Sequence, residues 1–292
     1  MHTDELEIDD SLVRRLLAAQ FPHWADLPIE RVEHAGTDNA IYRLGDDLAV
    51  RLPRIHWAAG QPEKEHEWLP KLAPLLPLPI PVPLALGAPG GGYPWHWSLC
   101  PWLEGETASL DRVADTRQLA ADLAQFVAAL RRIDPAGGPI ASRGGPLAPL
   151  ADEILEVIGS LRGEFDADAV TAVWNAALDA PPWDGPPVWT HGDLDPRNLL
   201  VAHGRLSGVI DLSGVGVGDP ACDVASAWKV LPTQVRAIFR EALSVDAATW
   251  ERGRGWVIQQ AVMILSYYTL ETNAVLVLEA CRWLNEVLSS PG

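Results

Sequence analysis

Apolar positions along the chain fall into two regimes: short runs broken by turns up to about position 105, and helical spacing beyond position 111. Near the start, Asp10-Ser11 is placed to cap an amphipathic helix whose apolar positions are Leu12, Val13, Leu16 and Leu17. Arg31-Val32-Glu33-His34 reads as a strand leading into the loop Gly36-Thr37-Asp38-Asn39, and Ala40 to Leu44 reads as a second strand. Gly45-Asp46-Asp47 turns the chain into a third strand, Leu48 to Pro53, which ends at its proline. After Pro62, the segment Glu63 to Leu72 has helical spacing with Trp68, Leu69 and Leu72 as apolar positions. From Pro74 to Pro83 prolines alternate with apolar residues, which favours a buried extended connector over an exposed polyproline ligand. The aromatic strand from Trp95 then runs into a Pro- and Gly-marked linker through Gly105, and a boundary between two lobes is readable within this stretch.

In the second half, Leu119, Leu123, Phe126, Val127 and Leu130 share one helix face that ends at Asp134-Pro135. A Gly- and Pro-rich loop follows, then helices from about Ala151 to Leu161 and Ala167 to Leu178, with two or three more between Pro232 and Leu288. Between them lies a different pattern. Asn198 to Ala202 is an apolar run, His203-Gly204 is a turn signal, and Arg205 to Ile210 is extended, so the segment predicts a β-hairpin. If Ala202 faces Arg205, the antiparallel count sets Asn198 opposite Val209 and leaves Asp211 at the same open end. An Asn carbonyl and an Asp carboxylate make a sparse hard-oxygen site that suits Mg²⁺, which keeps several waters and shares phosphate oxygens. Asp193 precedes Asn198 on a loop interrupted by Pro196 and is the natural general base. Asp and Asn also cap turns, and either residue alone would be read that way.

Composition narrows the class without naming a reaction. With 292 residues, 48% hydrophobic and 21% charged, the chain can bury one or two sizeable cores as an ordinary soluble enzyme. A formal charge of -17 argues against a nucleic-acid partner and is compatible with cationic substrates. Cys100, Cys222 and Cys281 are odd in number and far apart, which argues against structural disulfides and a zinc site. The acidic start lacks a basic, then apolar, leader pattern, and no apolar stretch reads as a membrane span, so the expected compartment is the cytoplasm.

The ordered pattern His191-Gly192-Asp193-Leu194, Asn198-Leu199-Leu200, Ile210-Asp211 and Gly218-Asp219-Pro220-Ala221-Cys222-Asp223 resembles the aminoglycoside phosphotransferase family, a branch of the protein-kinase-like fold. The resemblance implies a two-lobed α+β fold: a small antiparallel-sheet lobe over 1–101 that binds nucleotide, and a larger, mainly helical lobe over 102–292 that carries catalysis and the acceptor. It implies that Asp193 orients and deprotonates the substrate hydroxyl, that Asn198 and Asp211 hold Mg²⁺ on the phosphates of ATP or GTP, and that His191 braces the loop. Positioning and charge neutralisation dominate such phosphoryl transfer. In the first lobe, Gly36, Thr37 and Asn39 are candidates to cover the phosphates, since glycine lets backbone N–H groups approach oxygen. Pro101 would supply a carbonyl, and Leu103 an N–H, to the purine.

One position departs from the kinase pattern. The third-strand lysine expected at the phosphates is Arg51, and none of the chain's three lysines lies on that strand. A guanidinium can bind phosphate bidentately and pair with a carboxylate. Glu65 is the expected partner, with Glu63 and Glu67 as neighbours. The segment Val50-Arg51-Leu52-Pro53-Arg54 is also similar to the macrolide phosphotransferase branch.

For the acceptor, Asp152, Glu153 and Glu156 on one predicted helix, and Glu271 later, are candidates to meet amines, although solvated helix faces carry such charges equally well. A protein kinase would share Asp193, Asn198 and Asp211, but it would have Arg and Lys where Gly192 and Asp195 stand, and Phe-Gly after the metal-binding Asp. The expected activity is therefore transfer of a γ-phosphoryl group to a hydroxyl of a small antibiotic, an aminoglycoside first. A macrolide, an amino alcohol or a sugar is the alternative acceptor, and a non-catalytic nucleotide-binding protein is the alternative of another class.

Overall fold

The computed structural model describes residues 6–32 and 38–290. The chain forms two compact units: Met1–Gly105 with Gly208–Ser213, and Glu106–Ser207 with Gly214–Gly292.

The first unit opens with helix α1, Asp10–Gln20, whose cap is Asp9 and not the expected Asp10-Ser11. The Asp9 carboxylate accepts from Leu12 N–H at 2.8 Å, and Asp10 falls in the first turn, where its charge favours the positive end of the helix dipole. Leu12, Val13, Leu16 and Leu17 are all buried, and they join Tyr42, Leu44, Val50, Leu52, Trp97 and Leu99 of the sheet in one core. Burying each such aliphatic side chain contributes about 1.5–3 kcal/mol, which is why the α1 stripe seats on the sheet.

The strands are β1, Ile29–Arg31; β2, Asn39–Leu44; β3, Leu48–Pro53; β4, Ala85–Gly87; and β5, Trp97–Pro101. They make a five-stranded sheet in the order β1-β2-β3-β5-β4, with every pair antiparallel. Strand β1 starts two residues before the expected Arg31, because Ile29, Glu30 and Arg31 pair with Leu44, Arg43 and Tyr42; Glu33 and His34 lie outside the described residues. Gly36 and Thr37, two of the candidate phosphate-covering residues, lie outside the described residues.

Helix α2, Gln61–Leu72, holds Pro62 in its first turn, where a missing N–H costs no hydrogen bond. Its inward stripe is Pro62, Glu65, Leu69 and Leu72. Trp68 falls off that stripe and lies under the Lys71 ammonium, 3.9 Å from the ring centre. The proline run that follows is not the buried connector its pattern predicts: Leu75 is 58% exposed, and burial begins only at Ile80 and Pro81. Alternation of proline with leucine does not specify a covered face, since only packing on neighbouring elements does so.

The second unit contains β6, Glu106–Thr107; α3, Thr116–Arg131; α4, Ala151–Ser160; α5, Ala167–Asp179; β7, Val188–Thr190; β8, Leu199–Ala202; β9, Arg205–Val209; and β10, Gly216–Gly218. The helices α6, Ala221–Val224; α7, Ser226–Lys229; α8, Arg236–Ala242; α9, Ala247–Tyr267; and α10, Leu270–Leu288 complete it. The α3 face predicted from Leu119, Leu123, Phe126, Val127 and Leu130 is buried, and Asp115 caps the helix. Helix α9 runs through the unit and packs on α4, α5, α6 and α10. Strands β6, β8 and β9 form one small sheet, and β7 and β10 pair as another. Between β8 and β9, His203 and Gly204 both take positive φ, 53° and 79°, as a two-residue hairpin turn requires. The last residues of β9 carry the chain into the first unit, where Asp211 belongs. Among the described residues, no helix is long and apolar enough to cross a membrane.

Candidate active site

In the second unit the chain leaves β7 into a loop held from several sides. The Asp223 carboxylate, fully buried, accepts from the His191 N–H at 2.9 Å and the Gly192 N–H at 3.0 Å. Gly192 has φ +86°, and a Cβ there would sit 3.1 Å from the Gly214 carbonyl oxygen. That geometry explains glycine at this place, because any larger residue would be strained both in its backbone and against the Gly214 carbonyl. The buried His191 ring accepts the Asp193 N–H at Nδ1, 3.2 Å away, and the Asn198 side-chain amide donates to the Asp193 carbonyl at 2.9 Å. Asp195, also fully buried, caps the turn Pro196–Asn198 by accepting the Arg197 N–H at 2.9 Å, and its carboxylate pairs with the Arg197 guanidinium. Asp219 in turn accepts from Ala221 N–H and meets Arg252 at 2.7 Å, which fixes the start of α6.

The Asp193 side chain is 26% exposed, and its Oδ1 meets Lys229 Nζ at 3.2 Å and Arg143 at 3.4 Å. Burial opposes its charge, but Arg143 first, then Lys229 and Arg197, outweigh that and hold the carboxyl well below the usual carboxylate range. Asp193 is therefore ionised over the whole neutral range and can accept hydrogen bonds.

In the first unit, Arg51 on β3 is buried and reaches Glu65 on α2 at 2.7 Å and Asp211 at 3.4 Å. Of the three neighbouring glutamates, Glu65 is thus the one that meets Arg51; Glu63 instead pairs with His96. Burial works against the guanidinium charge, yet Glu65 and then Asp211 more than offset it and raise the Arg51 pKa. Lys64, one residue before Glu65, donates to the Ser213 carbonyl; burial lowers its pKa, while Glu65 and Asp211 oppose that shift. A second cation thus stands beside Asp211. Replacing Glu65 with Ala would leave the Arg51 charge buried with only the longer contact to Asp211. Chemical denaturation is expected to show a loss of about 3 kcal/mol, the scale for breaking one side of a buried ion pair. An unchanged midpoint would show that Arg51 does not depend on Glu65.

Asn39 opens β2 and donates its side-chain amide to Gln61 at 3.1 Å, at the start of α2. Pro101 ends β5, and Leu103 follows two residues later; Trp102 between them turns its N–H back to the Asp47 carbonyl at 2.7 Å. Burial pushes the neighbouring Cys100 thiol up to about 11, so it acts as an apolar wall and not as a nucleophile. Asp152, Glu153 and Glu156 are exposed on α4, whose Ile154 and Ile158 face inward, and Glu271 is exposed in the first turn of α10.

Each unit offers one oxygen donor with room for a further partner. Asn198 gives its NH₂ to Asp193, which leaves its side-chain oxygen as an acceptor, and the Asp211 side chain is 39% exposed with only Oδ1 engaged by Arg51. No cluster of three or more His, Cys, Asp or Glu able to hold a metal occurs among the described residues. Each of the two is a hard oxygen donor of the kind Mg²⁺ takes.

The sequence pattern assigns no role of their own to Asp223, Lys229 or Arg143. Asp223 had a signal in its fixed spacing after Asp219-Pro220. Lys229 had one as well, since a lysine between Ala225-Ser226-Ala227-Trp228 and Val230-Leu231 must be buried against an anion. Arg143, in a glycine-rich loop, had none.

The chain is 30% identical over 156 residues to an aminoglycoside 3'-phosphotransferase from Escherichia coli, a match covering 50% of this chain and 58% of that protein. It spans less than two thirds of the length of the curated relatives it matches, 22% and 58%. Among solved structures, the GDP complex of aminoglycoside 2'-phosphotransferase-IIIa superposes with a TM-score of 0.75 at 17% identity, covering 97% of this chain and 99% of the other. A macrolide 2'-phosphotransferase from Brachybacterium faecium does so with a TM-score of 0.60 at 24% identity, covering 97% and 99%. These likenesses carry the protein-kinase-like two-lobed α+β fold. A model of the phosphotransferase enzyme family matches residues 29–256, and with the His191 to Asn198 loop built as described, the chain belongs to that family.

Proposed function

We propose that this protein is a small-molecule kinase that moves the γ-phosphoryl group of ATP or GTP to a hydroxyl of an aminoglycoside antibiotic. The observation that carries this reading is Asp193, held ionised on a loop that Asp223, His191 and Asn198 fix, in a chain of the phosphotransferase family. In this reading Asp193 accepts the hydroxyl proton as the hydroxyl oxygen bonds to the γ-phosphorus and the bond to the bridging oxygen breaks. Asn198 and Asp211 would hold Mg²⁺, which supplies charge neutralisation on the phosphates when bound. Arg51, held by Glu65, stands for the phosphate lysine. Gly36, Thr37 and Asn39 cover the phosphates, while the Pro101 carbonyl and the Leu103 N–H hold the purine. Residues 1–101 are then the nucleotide lobe and 102–292 the lobe of catalysis and acceptor, with Asp152, Glu153, Glu156 and Glu271 available to amines.

The acceptor class rests on the curated aminoglycoside relatives and on a charge of -17, which draws polyamines. A macrolide is the second reading, favoured by Arg51-Leu52-Pro53-Arg54 and by an apolar exposed stretch: Tyr267 at 49%, Leu270 at 61%, Val275 at 63% and Leu278 at 62%. Cytoplasmic location and a resistance phenotype belong to the same proposal, since the nucleotide pool and the ribosomal targets of both drug classes lie there. Purified protein given Mg²⁺ and ATP or GTP with aminoglycosides, macrolides, amino alcohols and sugars is expected to phosphorylate an aminoglycoside. Nucleotide binding without phosphorylation of any acceptor or of water would overturn the kinase reading and leave a nucleotide-binding protein.

A further inference from the structure

Lys229 ends α7 with a side chain only 1% exposed. Its ammonium is held from three directions: Gln260 Oε1 on α9 accepts at 2.7 Å, the Trp283 ring of α10 lies 4.7 Å away, and Asp193 Oδ1 accepts at 3.2 Å. Asp195 Oδ2 is 3.9 Å distant, the longer of its two carboxylate contacts. Asp195 already has a charged partner in Arg197, which engages both of its oxygens. Neutralising Asp195 therefore does not account for a buried lysine, which costs several kcal/mol unless it is well paired. The contact with Asp193 does.

Protein kinases carry a lysine two residues beyond the catalytic aspartate, and here that place is Asp195. We infer that Lys229 is a positioning residue for Asp193, entering from α7 to set a buried cation against the carboxylate and fixing it through Oδ1. Resting on the kinase reading above, this assigns the two oxygens different tasks. Lys229 and Arg143 both take Oδ1, and neither of these contacts uses Oδ2, the oxygen left to meet the acceptor hydroxyl. Arg143 is 38% exposed on its side chain and also bonds the Gly192 carbonyl, so it is the less confined of the two. Lys229 is the more confined member, with a side chain 1% exposed and its ammonium held by the Gln260 side-chain oxygen, the Trp283 ring and Asp193.

The test is a double-mutant cycle on phosphate transfer to the acceptor found above. K229M is expected to lower kcat roughly 10- to 100-fold, the scale for misplacing a reacting group, with nucleotide KM nearly unchanged. In a D193N background the same change is expected to do almost nothing, because the carboxylate it orients is absent. K229R, which keeps the charge, should recover much of what K229Q loses. Should K229M not fold, the comparison of K229Q with K229R decides. The inference is overturned if K229M retains the parent kcat, if its effect is undiminished in D193N, or if K229Q and K229R are equally active. If the parent itself transfers phosphate to nothing, it is the kinase reading that fails, and this one with it.

Discussion

Asp193→Asn is expected to lower phosphate transfer by roughly 100- to 10,000-fold while nucleotide affinity stays at the parent value. The reason lies in what the side chain touches. Its Oδ1 is tied to Lys229 and Arg143, and in the proposed reaction its loss removes the acceptor of the hydroxyl proton, while Arg51 keeps its own partners, Glu65 and Asp211. Asn is the better substitution than Ala, because it keeps the shape of the loop and an oxygen for Lys229. Asp193→Ala would add a stability cost from the buried ammonium, with only Asp195 at 3.9 Å as an anionic partner. Measuring kcat with nucleotide binding by calorimetry separates the two effects. Equal transfer rates in Asp193→Asn and the parent would remove Asp193 from the chemistry.

Asp211→Asn is expected to abolish the Mg²⁺ dependence of nucleotide binding and to weaken binding in saturating Mg²⁺ by about 10- to 100-fold. Asp211 sits at φ +56°, a left-handed conformation that Asn and Asp adopt more readily than other residues with a side chain. Asn therefore keeps the backbone and removes only the charge, whereas Ala would also strain the turn. Arg51 would keep Glu65 at 2.7 Å, so the fold of the first unit should survive. Titrating nucleotide with and without a chelator reads the effect directly: the parent should lose affinity on chelation and Asp211→Asn should not. A variant whose binding still follows Mg²⁺ as the parent's does would remove Asp211 from the metal site.

Much of this architecture was legible along the chain. The α1 and α3 stripes and the hairpin with its His203-Gly204 turn follow from periodicity and turn chemistry, which act over a few residues. Where the reading slipped, the competing forces were also local but finely balanced. Asp9 and Asp10 both satisfy the chemistry of a cap, and only the backbone angles at Asp9 let its carboxylate reach Leu12. The early start of β1 has a different origin, in the register that β2 imposes on it.

What sequence patterning could not supply is the partner of each charge. Arg51 has three glutamates within one helical turn of each other, and the rotation of α2 selects Glu65 by turning it inward with Leu69 and Leu72. Lys229 stands 36 residues from Asp193 and 31 from Gln260, and no spacing rule links them. Composition and short-range pattern set which segments are helices, strands and turns, and which oxygen-bearing residues share a hairpin, because those depend on bonds made within a few residues. The pairing of buried charges depended on the folded arrangement: an ion pair in a low-dielectric interior is decided by distances of a few ångströms between side chains far apart in the chain, and packing alone sets those distances.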